Sequence, residues 1–267
     1  MKSKMDTRSI GVFDSGIGGL TVLKELEKQL PNENFVYLGD TLNFPYGDKT
    51  KEEIIKLSEK NIKYLISQKV KLIVIACGTA TSQSLEIMKS IFDIPIIGII
   101  EPTVVYVKKM NLEKIGVIAT TGTIRSGAWE KNLKQEIPNI EVVNRACPLL
   151  ASIAEEGKAK SQESLEAVHE YMEIFKENNV DTIILGCTHY PIYDEIIKNE
   201  FSNKVNLVNT GVAVATKLKQ YLHENNMENT GEKIETKVII SKEEEDFDKK
   251  IKNILKSAKN LDITKFY

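Results

Sequence analysis

Leu72-Ile73-Val74-Ile75-Ala76-Cys77-Gly78-Thr79 is the stretch of sequence that decides the fold. Five apolar residues lead directly into a cysteine, a glycine and a threonine. A short, continuous apolar run of this kind is typical of a strand buried in a parallel sheet. In open parallel sheets, ligands bind at the carboxyl ends of the strands. The stretch therefore predicts a buried strand with Cys77 at the end where a ligand would bind.

The same pattern returns in the second half of the chain, at Thr182-Ile183-Ile184-Leu185-Gly186-Cys187-Thr188-His189. Here too an apolar run ends in a cysteine with a threonine close behind it. Each half of the chain thus contains one strand that ends in a thiol. We expect the thiols of Cys77 and Cys187 to face each other across one substrate.

The segments that lead to the two cysteines also resemble each other. Ile115-Gly116-Val117-Ile118-Ala119-Thr120 is similar to Ile10-Gly11-Val12-Phe13-Asp14-Ser15, and strands alternate with helices after both. Alternating strands and helices predict a parallel sheet with helices on both faces. We therefore expect an α/β fold of two pseudo-symmetric lobes, each a mainly parallel sheet flanked by helices, with the active site in the cleft between the lobes.

The 267 residues are enough for two such lobes. We expect the first lobe to comprise residues 1–98 together with a returning C-terminal tail, residues 209–267. Residues 99–208 are expected to form the second lobe. Glu101-Pro102 is a candidate hinge between them.

Composition and charge favour a globular protein whose partner is a small molecule. Hydrophobic residues make up 42% of the chain and charged residues 28%, and the formal net charge is −2. Nothing in this charge favours a nucleic acid as partner. The longest apolar runs are too short to cross a membrane, and the first residues lack the apolar core of a signal peptide. We expect a cytoplasmic protein, with its three cysteines reduced and no disulfide framework.

Asp14-Ser15-Gly16-Ile17-Gly18-Gly19 lies between the first predicted strand and a predicted helix that begins at Leu20. This layout suits an anion-binding turn. It is not a dinucleotide-binding fingerprint, because Thr21 occupies the position of the third glycine. The loop could equally be a tight turn in which Asp14 or Ser15 caps the helix.

Three other uses of the thiols stay open at this point. Cys187 with His189 could be a nucleophile and base for acyl transfer, but Cys77 would then have no role. Cys77, Cys187 and His189 could bind a metal ion, although a fourth ligand is not evident. Both cysteines could also be buried small hydrophobic residues.

Two thiols on opposite sides of one carbon favour a different reaction. One group can remove a proton from one face while the other delivers a proton to the opposite face, which inverts the configuration. Ser15, Thr79, Thr188 and backbone N–H groups at the strand ends are suited to holding a substrate carboxylate. The pattern therefore predicts a racemase or an epimerase.

At these residues the chain resembles the cofactor-independent glutamate racemases of the aspartate/glutamate racemase superfamily. The resemblance runs from Ile10 to about Gly211 and rests on five motifs. They are Asp14-Ser15-Gly16-Ile17-Gly18-Gly19-Leu20-Thr21-Val22, Gly39-Asp40 with Pro45-Tyr46-Gly47, Cys77-Gly78-Thr79-Ala80-Thr81, Ala146-Cys147-Pro148-Leu149 with Glu155-Glu156-Gly157, and Gly186-Cys187-Thr188-His189-Tyr190-Pro191.

The resemblance implies interconversion of L- and D-glutamate for peptidoglycan synthesis, without a cofactor or a metal ion, by a protein that is commonly a homodimer. It implies that Cys77 deprotonates D-glutamate and Cys187 deprotonates L-glutamate, with Asp14 and His189 assisting the thiols. Glu155 is a possible helper, and Cys147 is expected to be structural. The substrate-binding residues implied in the same way are Asp14, Ser15, Asp40, Pro45, Tyr46, Gly47, Gly78, Thr79, Thr188 and His189.

Two departures from the family pattern keep alternatives open. Gly78 stands where the family usually has an asparagine, and Ala151-Ser152 replaces a more usual Val-Pro. Because of Gly78, the substrate could be aspartate or another acidic or hydantoin-like compound. A ligand-binding module with the same two lobes, in which the thiols serve only packing, is the alternative from a different class.

Overall fold

The computed structural model describes residues 6–232, 235–242, 247–255 and 261–265, which alternate between strands and helices. The strands are β1 Ile10–Asp14, β2 Phe35–Gly39, β3 Leu72–Ile75, β4 Ile96–Gly98, β5 Lys114–Ala119, β6 Glu141–Ala146, β7 Thr182–Leu185, β8 Asn206–Asn209, β9 Thr236–Ile240 and β10 Leu261–Lys265. The helices are α1 Leu20–Gln29, α2 Lys51–Ser67, α3 Gly78–Ile91, α4 Ile100–Lys108, α5 Thr121–Arg125, α6 Ala128–Glu136, α7 Pro148–Glu155, α8 Gln162–Glu177, α9 Asp194–Glu200, α10 Thr210–Glu224 and α11 Phe247–Ile254.

The strands form two separate parallel sheets, one in each lobe. The first sheet has the order β10-β9-β2-β1-β3-β4, and the second has the order β6-β5-β7-β8. All the described strand pairs are parallel. The order β2-β1-β3-β4 in the first sheet matches β6-β5-β7-β8 in the second, so the two lobes repeat one design. The predicted α/β fold with two pseudo-symmetric lobes is confirmed.

The central strands are buried on both faces because helices cover each sheet from both sides. Every residue of β1, β2, β3 and β7 is buried. This explains why the runs before the two cysteines are apolar throughout rather than alternating with polar residues. Burial of both faces also fixes the strand ends, and with them the two cysteines, in a rigid framework.

The C-terminal tail packs on the first lobe. Strand β9 pairs with β2, and α11 packs against α1 through Phe247, Ile251 and Leu255, which are buried in the same apolar cluster. Strand β10 pairs with β9 at the edge of the same sheet. The predicted lobe limits at residues 98 and 208 fall at or next to the ends of β4 and β8. The predicted lobes also include residues 1–5, 233–234, 243–246, 256–260 and 266–267, which lie outside the described part of the chain.

The predicted hinge at Glu101-Pro102 lies at the start of a helix rather than in a loop. Both residues lie in the first turn of α4. A proline is tolerated there because the N–H that it lacks has no partner within the helix. The described helices include none that is both long enough and apolar enough to span a bilayer.

Candidate active site

Cys77 lies at the carboxyl end of β3, where it is the N-cap residue of α3. Its Sγ accepts a hydrogen bond from the backbone N–H of Ala80 at 3.5 Å and donates one to Ser15 Oγ at 3.5 Å. Burial, helped by the nearby Asp14 carboxylate, raises the pKa of the thiol to about 12, and the hydrogen bonds with Ser15 and Ala80 act in the opposite direction. Cys77 is therefore held as a protonated thiol at neutral pH, the form that can donate a proton.

Cys187 lies at the corresponding place in the second lobe, two residues beyond the end of β7. Its Sγ is 3.8 Å from Nδ1 of His189, and Nε2 of His189 is 2.5 Å from an oxygen of Glu155. Burial acts to lower the pKa of His189, but the bonds to Cys187 and Glu155 outweigh it and hold that pKa well above its ordinary value. A cationic imidazole beside a thiol can stabilise the thiolate. The Cys77 thiol thus lies near a carboxylate, whereas the Cys187 thiol lies beside a cationic imidazole.

Glu155, the possible helper, is the last residue of α7. Its carboxylate is buried and connects the lobes. Oε2 contacts His189, while Oε1 accepts a hydrogen bond at 3.1 Å from the backbone N–H of Ile17 in the first lobe. Glu155 is placed to orient the imidazole that contacts Cys187.

Asp14 is the last residue of β1 and is completely buried. One carboxylate oxygen accepts from the N–H groups of Gly16 and Gly19, at 3.2 and 3.0 Å, and the other accepts from Thr188 Oγ1 at 3.3 Å. Burial raises its pKa to about 6, although the cationic His189 and the two N–H groups act in the opposite direction. The carboxylate therefore both caps the glycine turn and meets the second lobe beside Cys187.

Both lobes contribute to the lining of one cleft, and both thiols lie in it. A cleft of about 480 Å³, including its open mouth, contains an inner cavity of about 30 Å³. Among the described residues, the lining includes no lysine or arginine, so an anionic substrate would be held by hydroxyl and N–H groups. The residues predicted from the sequence that line the cleft are Ser15, Pro45, Tyr46, Gly47, Cys77, Gly78, Thr79, Cys187, Thr188 and His189.

Two of the predicted binding residues, Asp14 and Asp40, do not line the cleft. Asp40 is buried behind the cleft lining, where its carboxylate accepts hydrogen bonds from Tyr46, Asn61 and Ser241, at 2.6, 3.3 and 3.0 Å. Tyr46 itself lines the cleft. Asp40 is therefore placed to hold the Tyr46-Gly47 loop rather than to contact a ligand.

The sequence prediction missed a group of hydroxyls contributed by both lobes. Thr79 Oγ1 is 2.8 Å from Thr120 Oγ1 and 3.2 Å from Thr123 Oγ1, and the last two hydroxyls are 2.8 Å apart. Thr79 and Thr120 line the cleft. The internal repeat contained the signal, because Thr120 occupies the position of Ser15 in the second lobe. Phe44, Asp48, Thr121, Pro148, Ala151, Ser152 and Gly186 also line the cleft without having been predicted.

Gly78 lies where the two cysteine-bearing segments meet. A Cβ atom on Gly78 would overlap the carbonyl oxygen of Gly186, the residue before Cys187. Gly186 in turn has little room to move back, because a Cβ on it would lie 2.8 Å from the indole Nε1 of Trp129. The absent side chain at residue 78 therefore lets the two strand ends approach each other closely.

The arrangement can remove a proton from one face of a bound carbon and return one to the other. It places one thiol from each lobe in a shared cleft, one held protonated and one beside a cationic imidazole. The Cys187-His189-Glu155 series could also serve acyl transfer, but that reaction gives Cys77 no role. Within the described residues, no group of three or more His, Cys, Asp or Glu side chains is arranged to hold a metal ion. Cys147 is buried, and its burial strongly raises the pKa of its thiol, which fits a structural role.

Comparisons with known proteins agree with this geometry. The family model described as Asp/Glu/Hydantoin racemase matches residues 14–218. The chain is 41% identical over 226 residues to a glutamate racemase of Bacillus cereus, covering 84% of each chain. It is 37% identical over 271 residues to a glutamate racemase of Thermoanaerobacter pseudethanolicus, covering 98% of this chain and 100% of the relative. A crystal structure of glutamate racemase from Francisella tularensis in complex with D-glutamate is 38% identical, with a TM-score of 0.89, and covers 97% of this chain and 98% of that chain.

Proposed function

We infer the function of this chain from the premise that it belongs to the Asp/Glu/Hydantoin racemase family. We propose that it interconverts L- and D-glutamate without a cofactor, by proton transfer at Cα between two thiols. The observation that carries this proposal is the position of Cys77 and Cys187 in one cleft, each on a different lobe.

In the direction from L- to D-glutamate, the Cys187 thiolate takes the Cα proton. The electron pair left on Cα is delocalised into the α-carboxylate, which hydroxyl and N–H donors of the cleft stabilise. The Cys77 thiol then gives its proton to the opposite face of Cα. Cys187 ends as a thiol and Cys77 as a thiolate, which is the state required for the reverse reaction.

The neighbours of each thiol support this assignment. His189, whose raised pKa keeps it cationic, lies against the Cys187 sulfur and is held by Glu155, while burial favours the thiol of Cys77. Asp14 interacts with Cys77 through its charge and accepts a hydrogen bond from Thr188. Substrate contacts are assigned to Ser15, Tyr46, Gly47, Gly78, Thr79, Thr188 and His189, which line the cleft, with Pro45 beside them.

The first prediction concerns the three cysteines. Cys77→Ser and Cys187→Ser should each lower the rate of racemisation by about 10²–10⁴-fold, because each removes one of two acid–base groups. Cys147→Ser, a change at the third buried cysteine, should keep the activity of the folded protein. The measurement is the optical rotation of L- or D-glutamate incubated with each protein without added cofactor. Wild-type protein that leaves both enantiomers unchanged, or full activity in either cleft variant, would refute the proposal.

Aspartate is the second candidate substrate, because the matching family model is described as Asp/Glu/Hydantoin racemase and Gly78 contributes no side chain to the cleft lining. The two-thiol chemistry is the same for either acid. Parallel assays with glutamate, aspartate and a hydantoin decide between the substrates.

The physiological setting is also part of the proposal. D-glutamate made by this reaction would supply peptidoglycan synthesis in the cytoplasm, and we expect a homodimer. The resemblance to the family supports both statements, and the exposed apolar side chains of Leu42 and Leu149 are available for subunit contacts. Sedimentation equilibrium measures the oligomeric state directly.

A further inference from the structure

Lys250 connects the C-terminal tail of the first lobe to the second lobe. Its Nζ donates a hydrogen bond to the backbone carbonyl oxygen of Glu155 at 2.8 Å. Helix α11, which carries Lys250, is fixed to the first lobe by Phe247 and Ile251, whose side chains are 2% and 0% exposed. The bond therefore crosses from one lobe to the other at the residue that contacts His189.

The local structure of both partners suits this contact. Glu155 is the last residue of α7, and the carbonyl groups at a helix end lack partners within the helix and attract cations. The chain turns away immediately afterwards at Gly157, which has a φ of +77°. A Cβ atom on Gly157 would lie 3.9 Å from Lys250 Cε, so the lysine stem passes over this turn.

Glu155 is consequently held by the first lobe at two points. The backbone N–H of Ile17 binds its carboxylate, and Lys250 binds its main-chain carbonyl. The remaining carboxylate oxygen contacts His189. The position of Glu155 relative to His189 is thus set by both bonds from the first lobe together.

We propose that Lys250 is a positioning residue for the reaction: by fixing the end of α7 it keeps Glu155 against His189, and so keeps His189 aligned with Cys187. This inference rests on the proposed function. Lys250 acts only through Glu155 and does not contact the substrate. Its loss should therefore weaken the Cys187 side of the reaction and leave the Cys77 side intact.

Three variants test the proposal. Lys250→Met keeps an apolar stem over Gly157 but removes the N–H donor, whereas Lys250→Arg keeps a donor. Lys219→Met removes a lysine from the exposed face of α10 and is the matched control. We expect Lys250→Met to lower kcat by about fivefold to tenfold, the loss expected for one hydrogen bond of ordinary strength, with a nearly unchanged KM. Lys250→Arg should restore most of the rate, and Lys219→Met should match the wild type.

Isotope effects separate positioning from a general loss of structure. With Cα-deuterated substrates, the isotope effect on kcat/KM should rise for L-glutamate and fall for D-glutamate in Lys250→Met, because proton removal by Cys187 becomes more rate-limiting. Wild-type kcat in Lys250→Met, or a lower kcat with both isotope effects unchanged, would overturn the proposal.

A second measurement does not depend on activity. The protein has three histidines, and the Nε2 proton of His189 in its short bond to Glu155 should give a far-downfield proton resonance. This resonance should shift or exchange faster in Lys250→Met and return in Lys250→Arg. An unchanged resonance in Lys250→Met overturns the role of Lys250. A shifted resonance in a protein that racemises no glutamate supports that role and refutes the proposed function instead.

Discussion

Cys77 and Cys187 differ in what surrounds their sulfur atoms. Cys77 is kept as a thiol by burial and by the Asp14 carboxylate, and the thiol form is the proton donor. Cys187 faces His189, which Glu155 helps to keep cationic. We propose that this asymmetry suits the half-reaction on L-glutamate, in which Cys187 is the base. The opposite protonation state, left after one turnover, is the one that accepts D-glutamate.

Asp14 gives a prediction about stability as well as activity. Its raised pKa of about 6 means that the folded protein binds a proton more readily than the unfolded chain between about pH 4 and 6. Above this range the buried charge lowers the free energy of unfolding by up to about 3 kcal/mol. Asp14→Asn should therefore raise the free energy of unfolding at pH 7, and this advantage should shrink as the pH falls from 6 to 4. Racemisation should fall sharply, because the carboxylate beside the thiols is lost.

Urea unfolding of wild type and Asp14→Asn at several pH values measures this effect, and optical rotation measures the activity. A variant that is less stable than the wild type at pH 7, or a stability difference that does not change with pH, would contradict the assigned pKa.

At the scale of the elements, the site is built where strands end and helices begin. Gly78 starts α3, Gly186 follows β7, and a side chain on Gly78 would overlap the Gly186 carbonyl. The same close approach occurs at Gly18, where a Cβ would lie 2.5 Å from the His189 ring. Glycines of the first lobe therefore let the second lobe come near enough for one cleft to contain both thiols.

Gly78→Ala tests this contact. The added methyl group must displace Gly186 and with it Cys187, so kcat/KM should fall by about tenfold to a hundredfold. Trp129 is the only tryptophan of the chain and its indole lies against Gly186, so its fluorescence should change as well. Gly11→Ala, which crowds only side chains inside the first lobe, should leave the fluorescence and the activity of the folded protein unchanged. Wild-type activity and fluorescence in Gly78→Ala would show that the contact is unimportant.

The sequence predicts these elements better than it predicts the contacts between them. The runs before Cys77 and Cys187 identify buried strands, because a strand covered on both faces is apolar throughout. Spacing along the chain contains no distance across a cleft, so the internal repeat could point to Thr120 but not to its contacts with Thr79 and Thr123. Asp40 is predicted to bind substrate for the same reason: its place in the sequence does not reveal that its carboxylate accepts a hydrogen bond from Tyr46.

At the scale of the whole molecule, two copies of one sheet design supply one thiol each. The tail adds β9 and α11 to the first lobe and reaches the second lobe through Lys250.

The inner cavity of about 30 Å³ has room for only one or two water molecules. An amino acid the size of glutamate needs more space, so the lobes must separate for the substrate to enter. Such a movement would break the bonds from Ile17 and Lys250 to Glu155 and form them again on closure.

The most direct test of the two-thiol reaction is racemisation of L-glutamate in deuterated water, stopped after a few per cent conversion. The hydrogen removed from the substrate stays on the first thiol. The product is protonated by the second thiol, whose proton has exchanged with the solvent. We predict that the D-glutamate formed contains deuterium at Cα, while the remaining L-glutamate keeps its original hydrogen. D-glutamate that retains the substrate hydrogen, or deuterium that enters both enantiomers equally from the start, would contradict transfer between Cys77 and Cys187.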